Sequence, residues 1–454
     1  MITSERRSPR FTQSITFKAL TVLVLTLFLL IPKAMITSLI EERQDRSRET
    51  IRTINEKWSE PQTICGPVLE VPYLVKVTED EIVNKEVRQK VQYNTKWLTI
   101  TPGTLHIDVE LFPEPKHYGI YKTTLYKSEL SISGSFNNLD EFDSDETKHW
   151  NEAYIILGIS DLKGLVSDAE LTINGNTYSA KPEGATNWFD DNTLHFSLKD
   201  FKKSPDGKNE FSCKFTLNGS EEINFVPVGK TTDVAVSGKW ASPGFIGNFS
   251  PQSTIENENF SAKWHILHFN RNIPEAWDGS TQIYLNHSAF GVRLVEMVDH
   301  YQQNMRSAKY ALMFIALTFV VFFFVEALTK KKIHIIQYLL VGVALILFYS
   351  LLLSISEQIG FALAYLIASI ATIGLITLYA HSVFKNKTQT GILMLILCML
   401  YIFLYVILQL EDLSLLIGSI GLFAILGVIM YLSRKINWYK EEKFTDMPPP
   451  PPLP

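Results

Sequence analysis

The sequence predicts a membrane protein of two parts: an α-helical bundle of six transmembrane helices and one large, all-β, sandwich-like domain. Three observations lead there. The mean hydropathy of +0.08 averages two regimes, an ordinary composition over 41–307 and an almost continuously apolar one over 308–433. Period-two alternation of apolar and polar residues dominates the first regime, as expected of strands with one face solvated. The charges of the short loops between apolar stretches all fall on one side.

A helix needs about 20 apolar residues to cross the hydrocarbon core. Six stretches meet or approach that length: Phe17–Ile40, Ala308–Leu328, Ile333–Leu353, Gly360–Tyr379, Ile392–Leu408 and Leu413–Leu432. The first resembles a signal peptide in its leading Arg6, Arg7 and Arg10. Ala34-Met35-Ile36 is a poor cleavage site, however, and the stretch reads as an uncleaved anchor. Arg6, Arg7 and Arg10 precede the first stretch, Lys330–Lys332 separate the second and third, and Lys385 and Lys387 the fourth and fifth. Arg434, Lys435 and Lys440 follow the last. The turns on the other side hold Glu357, Glu411 and Asp412 and no lysine or arginine. Both termini are therefore expected in the cytoplasm and residues 41–307 outside it.

Within 41–307 the strand runs are Val68–Val77, Lys90–Ile100, Thr104–Leu111, Thr124–Phe136, Ala153–Ile159, Glu170–Tyr178, Glu210–Leu217, Phe260–Phe269 and Thr281–Leu285. Asn174-Gly175, Asp206-Gly207, Asn218-Gly219 and Asp278-Gly279 read as turns between them. The likeness of Ile132-Ser133-Gly134-Ser135 to Leu217-Asn218-Gly219-Ser220 hints at a duplicated sandwich. Both connections to the membrane read as helical stalks, 41–58 and 291–307. Their apolar stripes (Ile51, Ile54 and Trp58; Leu294, Val298, Tyr301 and Met305) are expected to pair, with Ile54 beside Leu294. Neither helix is expected to break on leaving the bilayer. The boundaries are thus a tail over 1–16, a first span over 17–40, the β-rich domain over 41–307, five spans over 308–433 and a Pro-rich tail over 434–454. The five prolines after Met447 require extended chain there.

The composition excludes several classes. A net charge of −5 with no basic tract longer than Lys330–Lys332 argues against nucleic acid. Gly229-Lys230-Thr231 lacks the rest of a phosphate loop and reads as a turn. His265 and His268, three apart on a strand, face opposite sides and are a poor metal pair. Catalytic, metal and cofactor-binding residues are expected to be absent. Cys65 and Cys213 either pair or remain free thiols. Polar residues in or beside the spans carry the most weight, because they are costly in lipid. Glu326 is expected to pair with Lys330 at the interface or to hydrogen-bond Gln337 across the turn. A proton relay at Glu326 is the rival reading. Glu357 reads as a solvated turn residue. The middles of the spans are nearly bare of charge, which argues against an ion or substrate pathway.

The chain resembles the CreD family of inner-membrane proteins, named for cell-envelope integrity. The resemblance rests on Pro61-Gln62-Thr63-Ile64-Cys65-Gly66-Pro67-Val68-Leu69, Gly158-Ile159-Ser160-Asp161-Leu162-Lys163-Gly164-Leu165 and Trp240-Ala241-Ser242-Pro243-Gly244. It continues through Arg271-Asn272-Ile273-Pro274-Glu275-Ala276-Trp277, Val298-Asp299-His300-Tyr301-Gln302, Arg306-Ser307-Ala308-Lys309-Tyr310, Gln337-Tyr338-Leu339-Leu340-Val341-Gly342 and Ser354-Ile355-Ser356-Glu357. It implies a bacterial inner-membrane protein tied to envelope stress and β-lactam responses, and it implies no reaction. The expected partners are the lipid bilayer and a periplasmic envelope component, with no nucleic acid. Glu326, Gln337, Glu357, Arg306, Lys309 and Tyr301 are the structural or coupling candidates. A membrane transporter, or an enzyme acting on cell-wall or lipid precursors, is the alternative to a non-enzymatic envelope protein.

Overall fold

The computed structural model describes residues 15–83, 86–142, 148–199, 201–279, 283–294, 300–329, 333–410 and 413–434. Lys330–Lys332, Glu411, Asp412, Val298, Asp299, the leading arginines and the Pro-rich tail lie outside them. The chain divides into two compact units, Ser47–Met297 and the combination of Met1–Arg46 with Val298–Pro454.

Alternation builds the first unit. Its strands are β1 (Gln62–Val83), β2 (Glu86–Ile100), β3 (Thr104–Tyr118), β4 (Tyr121–Asn137), β5 (Tyr154–Ile159), β6 (Glu170–Ile173), β7 (Asn176–Glu183) and β8 (Thr193–Ser197). There follow β9 (Lys208–Ser220), β10 (Glu222–Val226), β11 (Thr231–Lys239), β12 (Gly244–Gly247), β13 (Gln252–Glu256), β14 (Asn259–Leu267), β15 (Ala276–Asp278) and β16 (Phe290–Arg293). One sheet runs β12-β16-β10-β1-β5-β8, with β2 and β15 attached beside β1; the other runs β6-β9-β4-β3-β11-β14-β13. β7 joins them, because Asn176–Ser179 pair with β6 and Ala180–Glu183 with β8. The sheets share one core, in which Trp264 of β14 meets Phe290 of β16 at 5.3 Å and the Tyr126 hydroxyl of β4 donates to the Glu222 carbonyl of β10 at 2.8 Å. The outward residues of β3, β9 and β14 are exposed and the inward ones buried, the pattern of a sheet packed on one face only.

Three expectations change here, and one open alternative is decided. The duplication hint fails: β4 and β9, which carry the two similar segments, are antiparallel neighbours in one sheet of one sandwich. Asn218-Gly219 is not a turn but mid-strand, and a Cβ at Gly219 would meet the Tyr126 hydroxyl at 2.3 Å. Glycine is there to admit a ring. Of the Thr281–Leu285 run, Thr281 and Gln282 lie outside the described residues, and Ile283 and Tyr284 lead not into a strand but into a 3₁₀ turn from Leu285 to Ser288. Cys65 and Cys213 are free and buried, one in each sheet.

The second unit is helical. It holds α1 (Ile15–Phe28), the first part of α2 (Leu30–Trp58), α3 (His300–Lys309), α4 (Ala311–Thr329), α5 (Ile335–Ile359), α6 (Phe361–Phe384), α7 (Lys387–Gln409) and α8 (Ser414–Ser433). Leu29 interrupts α1 and α2 because Pro32 has no N–H to return to the Phe28 carbonyl; hydrogen bonds from Leu29 N to Leu25 O and Lys33 N to Leu29 O carry the helix through. Among the described residues, four helices are long and apolar enough to cross a membrane, within Lys18–Trp58, Ile335–Ile359, Phe361–Phe384 and Lys387–Gln409. A fifth span forms if His300–Lys309 and Ala311–Ala327, bent by 46°, count as one. The described apolar stretch of α8, Leu416–Tyr431, is shorter. The structure therefore supports four to five of the six expected spans, and the unbroken exit expected before the second span is a bend at Tyr310.

The stalk differs most from expectation. Phe290–Arg293 form a strand, and Leu294 is buried in the β core, its N–H donating to the Glu221 carbonyl at 2.7 Å. Leu294 hides from water against strands, not against a partner helix. The end of α2 likewise docks on the sandwich: the Thr123 hydroxyl donates to Asn55 Oδ1 at 2.9 Å, and Asn55 is buried while Trp58 stays 43% exposed.

Candidate functional site

Three polar clusters stand out, two in the helical unit and one on the β unit. Glu326 lies near the C-terminal end of α4 with 6% of its surface exposed. A carboxylate taken out of water needs compensating donors. Oε1 accepts from the backbone N–H of Ile333 at 3.0 Å and from the Lys18 ammonium; Oε2 accepts from the Tyr338 hydroxyl at 3.0 Å. The cluster therefore ties α1, α4 and α5 together. Among the described residues its cation is Lys18 of α1, 308 positions away; Lys330, the partner expected from sequence, lies outside them. Gln337 faces a different partner: its Oε1 accepts from the His334 N–H at 2.9 Å, while Ile336 N donates to the His334 ring, so the pair caps α5.

A second cluster joins α3 to the other end of α5. The Tyr301 hydroxyl donates to Glu357 Oε1 at 3.1 Å, and Asn304 Nδ2 donates to the Ser356 hydroxyl at 2.7 Å. Ser356 in turn donates to the Leu353 carbonyl at 2.9 Å. Beneath these bonds Ile40, Tyr301, Ala308 and Leu353 pack as a small core. Glu357 thus holds a helix rather than only facing solvent. Arg306 is half-buried and Lys309 exposed on the same short helix. Between the two clusters the bundle is aromatic. Phe348, Tyr365 and Tyr401 stack with centroids 5.0–6.4 Å apart, and the Tyr365 hydroxyl donates to the Tyr401 carbonyl at 2.7 Å.

On the β unit, the outward face of the second sheet carries a constellation that sequence spacing did not show. Asp233 of β11 is paired in register with His106 of β3 on one side and His265 of β14 on the other. Both rings turn Nδ1 toward its carboxylate, His265 at 2.6 Å from Oδ1 and His106 at 3.3 Å from Oδ2. His268, the partner considered from sequence, lies instead in the following turn with its ring 3.8 Å from that of Phe269. The only signal for the real trio was that each lies at an outward position of its strand. Two shallow grooves flank it on the same face. One, of about 650 Å³, runs past Asp108, Glu129, Ser131, Lys214 and Ser237; the other, of about 820 Å³, past His106, Ser133, Thr172, Asp206 and Ser212. Hydroxyls and charges of both signs line them, suited to a polar ligand or surface.

Asp161, in the Gly158–Leu165 segment that carries part of the family resemblance, is occupied structurally. It accepts from the Ser59 hydroxyl, Glu60 N and Lys163 N at 3.0–3.2 Å. Gln62 completes the clamp by donating to Ser59, the Asp161 carbonyl and the Asn218 carbonyl at 2.7–3.1 Å. A Cβ at Gly164 would meet the Asn218 carbonyl at 2.2 Å. The segments around Pro61 and Gly158 are thus one joint, which seats the end of α2 on the sandwich. Burial pushes the Cys65 thiol far up and the Cys213 thiol up to about 12, so neither is a thiolate nucleophile at neutral pH.

The family model for inner membrane protein CreD matches residues 14–439. The chain belongs to the CreD family. Inner membrane protein CreD of Escherichia coli (strain K12) is 30% identical over 419 residues, which cover 91% of each chain. With its several apolar helices, the protein is a multi-pass inner-membrane protein. The relative's name denotes no catalytic activity.

Proposed function

We propose that the protein is a non-enzymatic support of cell-envelope integrity, with both termini in the cytoplasm, six membrane spans and the β unit in the periplasm. There the outward face of the second sheet binds or braces an envelope component. The observation that carries this reading is the breadth of that face: outward residues of β3, β4, β9, β11 and β14 form one polar surface with two open grooves. A site for covalent chemistry would concentrate a nucleophile and a base in a closed pocket, whereas this surface is shallow and wide. The transporter alternative draws no support from Glu326, whose two oxygens are already engaged by donors on three elements.

The test is to fill the groove without touching the core. Ser131→Arg with Ser237→Arg places bulk on two outward positions. The doubly substituted protein should melt within a few degrees of the parent and fail to restore envelope resistance in a strain lacking the gene. Full restoration by a folded, normally abundant double variant would overturn the reading.

A further inference from the structure

The sandwich sends out two hairpin arms, and they leave from opposite ends. β1 and β2 pair with each other out to Val83 and Glu86, well past the last residue either shares with β5, β10 or β15. β3 and β4 do the same in the other direction. β3 loses its second neighbour, β11, after Leu111, and β4 loses β9 before Leu125, yet the two stay paired to Tyr118 and Tyr121. The register shows which end is which. β9 descends to Ser220, Glu221 turns with φ +58°, and β10 climbs back parallel to β1. The β3–β4 arm therefore projects from the Glu221 end and the β1–β2 arm from the far end.

Both chain connections also sit at the Glu221 end. Leu294, the last described residue before 300, donates to the Glu221 carbonyl, and Asn55 of α2 receives the Thr123 hydroxyl at the base of the β3–β4 arm. From Ser59, beside Gln62 and Asn218, down to Asn55, beside Thr123, α2 runs toward its N-terminus as β4 runs toward its tip. Within the β unit the arm thus points the way α2 runs toward its N-terminus.

The arm's chemistry differs from that of an open strand edge. Pro113 and Pro115 stand where β3 has lost β11. Neither offers an N–H, so that edge cannot recruit a further strand. The tip is Lys116-His117-Tyr118-Gly119-Ile120-Tyr121-Lys122, with Tyr118 opposite Tyr121 and Gly119 at φ +61° closing the turn. Tyr118 is 55% and Phe112 45% exposed on the same side of β3. Tyrosines with an aliphatic residue between lysines favour the headgroup layer, where the rings are half-solvated and the ammonium groups stay in water.

We propose that the β3–β4 tip is a lipid-contacting foot: Tyr118, Ile120 and Tyr121 enter the headgroup layer of the leaflet from which α2 emerges. The contact steadies the β unit at a third point, beside its two chain connections. It holds for either orientation of the chain, so it stands or falls apart from the function proposed above.

The test uses the full-length protein in phospholipid nanodiscs. Cys398 is replaced by alanine, and Cys65 and Cys213 are left in place, being buried. A single cysteine at Tyr118→Cys, or at Ile120→Cys should the first variant misfold, carries an environment-sensitive fluorophore. Val91→Cys on the opposite arm, 47% exposed, serves as the reference. The tip label should be quenched at least several-fold more by lipids spin-labelled near the headgroup than the reference label, and less by aqueous iodide. Equal quenching at the two positions would overturn the proposal. So would protection of the tip from both quenchers, the result a protein partner would give.

Discussion

Glu326 and Asp233 are both carboxylates flanked by donors from neighbouring elements, yet they do opposite things. Glu326 is 6% exposed and answers to a lysine, a tyrosine and a backbone N–H from three parts of the bundle. Asp233 stands 36% exposed between two histidines that are themselves 50% and 62% exposed. In the first case removing the acid strands a half-buried ammonium and a buried hydroxyl. In the second, water replaces whatever is lost. Geometry alone would rank the sites together; burial separates a fastener from a surface available to ligands.

That contrast sets the order of expected effects. Glu326→Ala should cost about 3–5 kcal/mol, the range for breaking a buried ion pair by deleting one partner, read as a lower melting temperature in detergent and lower abundance in membranes. Glu326→Gln keeps an oxygen acceptor for Ile333 N, its amide N–H can donate to the Tyr338 hydroxyl oxygen, and it should retain envelope function. A folded but inactive Glu326→Gln would instead mark a proton-carrying site. Glu70 is an intermediate case. It is half-buried and held only by neutral donors, Trp188 Nε1 at 2.9 Å and the Thr99 hydroxyl at 3.3 Å. Burial raises its pKa above the usual carboxylate value against the pull of those bonds. The folded state therefore holds its proton more tightly than the unfolded chain. Its contribution to stability is complete below the ordinary carboxylate pKa near 4.5 and lost as pH rises through the folded value. Glu70→Gln should flatten the pH dependence of the β unit's melting temperature above that point; an unchanged slope would show that Glu70 does not contribute. Asp233→Ala is the smallest change, about 1 kcal/mol or less, as exposed pairs are. A melt shifted by more than several degrees would place Asp233 with the fasteners.

Local features were legible in the sequence, and long-range pairings were not. Alternation along Thr104–Leu111 and Glu210–Leu217 marks strands because every second side chain must face the core. The apolar run from Ile392 to Leu408 marks a span because lipid tolerates nothing else. Sheet order leaves no such trace. The neighbours β3, β11 and β14 begin at residues 104, 231 and 259, so His106, Asp233 and His265 meet only after the chain has folded. Lys18 finding Glu326 is the same lesson across 308 positions. Helical spacing misled at Leu294, where an apolar residue expected on a stalk stripe satisfies itself in the β core.

The measurement that most directly tests the account is the side of the membrane on which each region lies. Single cysteines at Asn137 and Lys181, both exposed on the β unit, and at Asn386, exposed at the start of α7, are placed in a Cys398→Ala background. An impermeant maleimide added to intact spheroplasts should label the first two positions and leave the third unlabelled until the membrane is opened. Labelling of Asn386→Cys in sealed spheroplasts, or protection of both β-unit positions, would contradict an exported β unit held by a bundle with cytoplasmic termini.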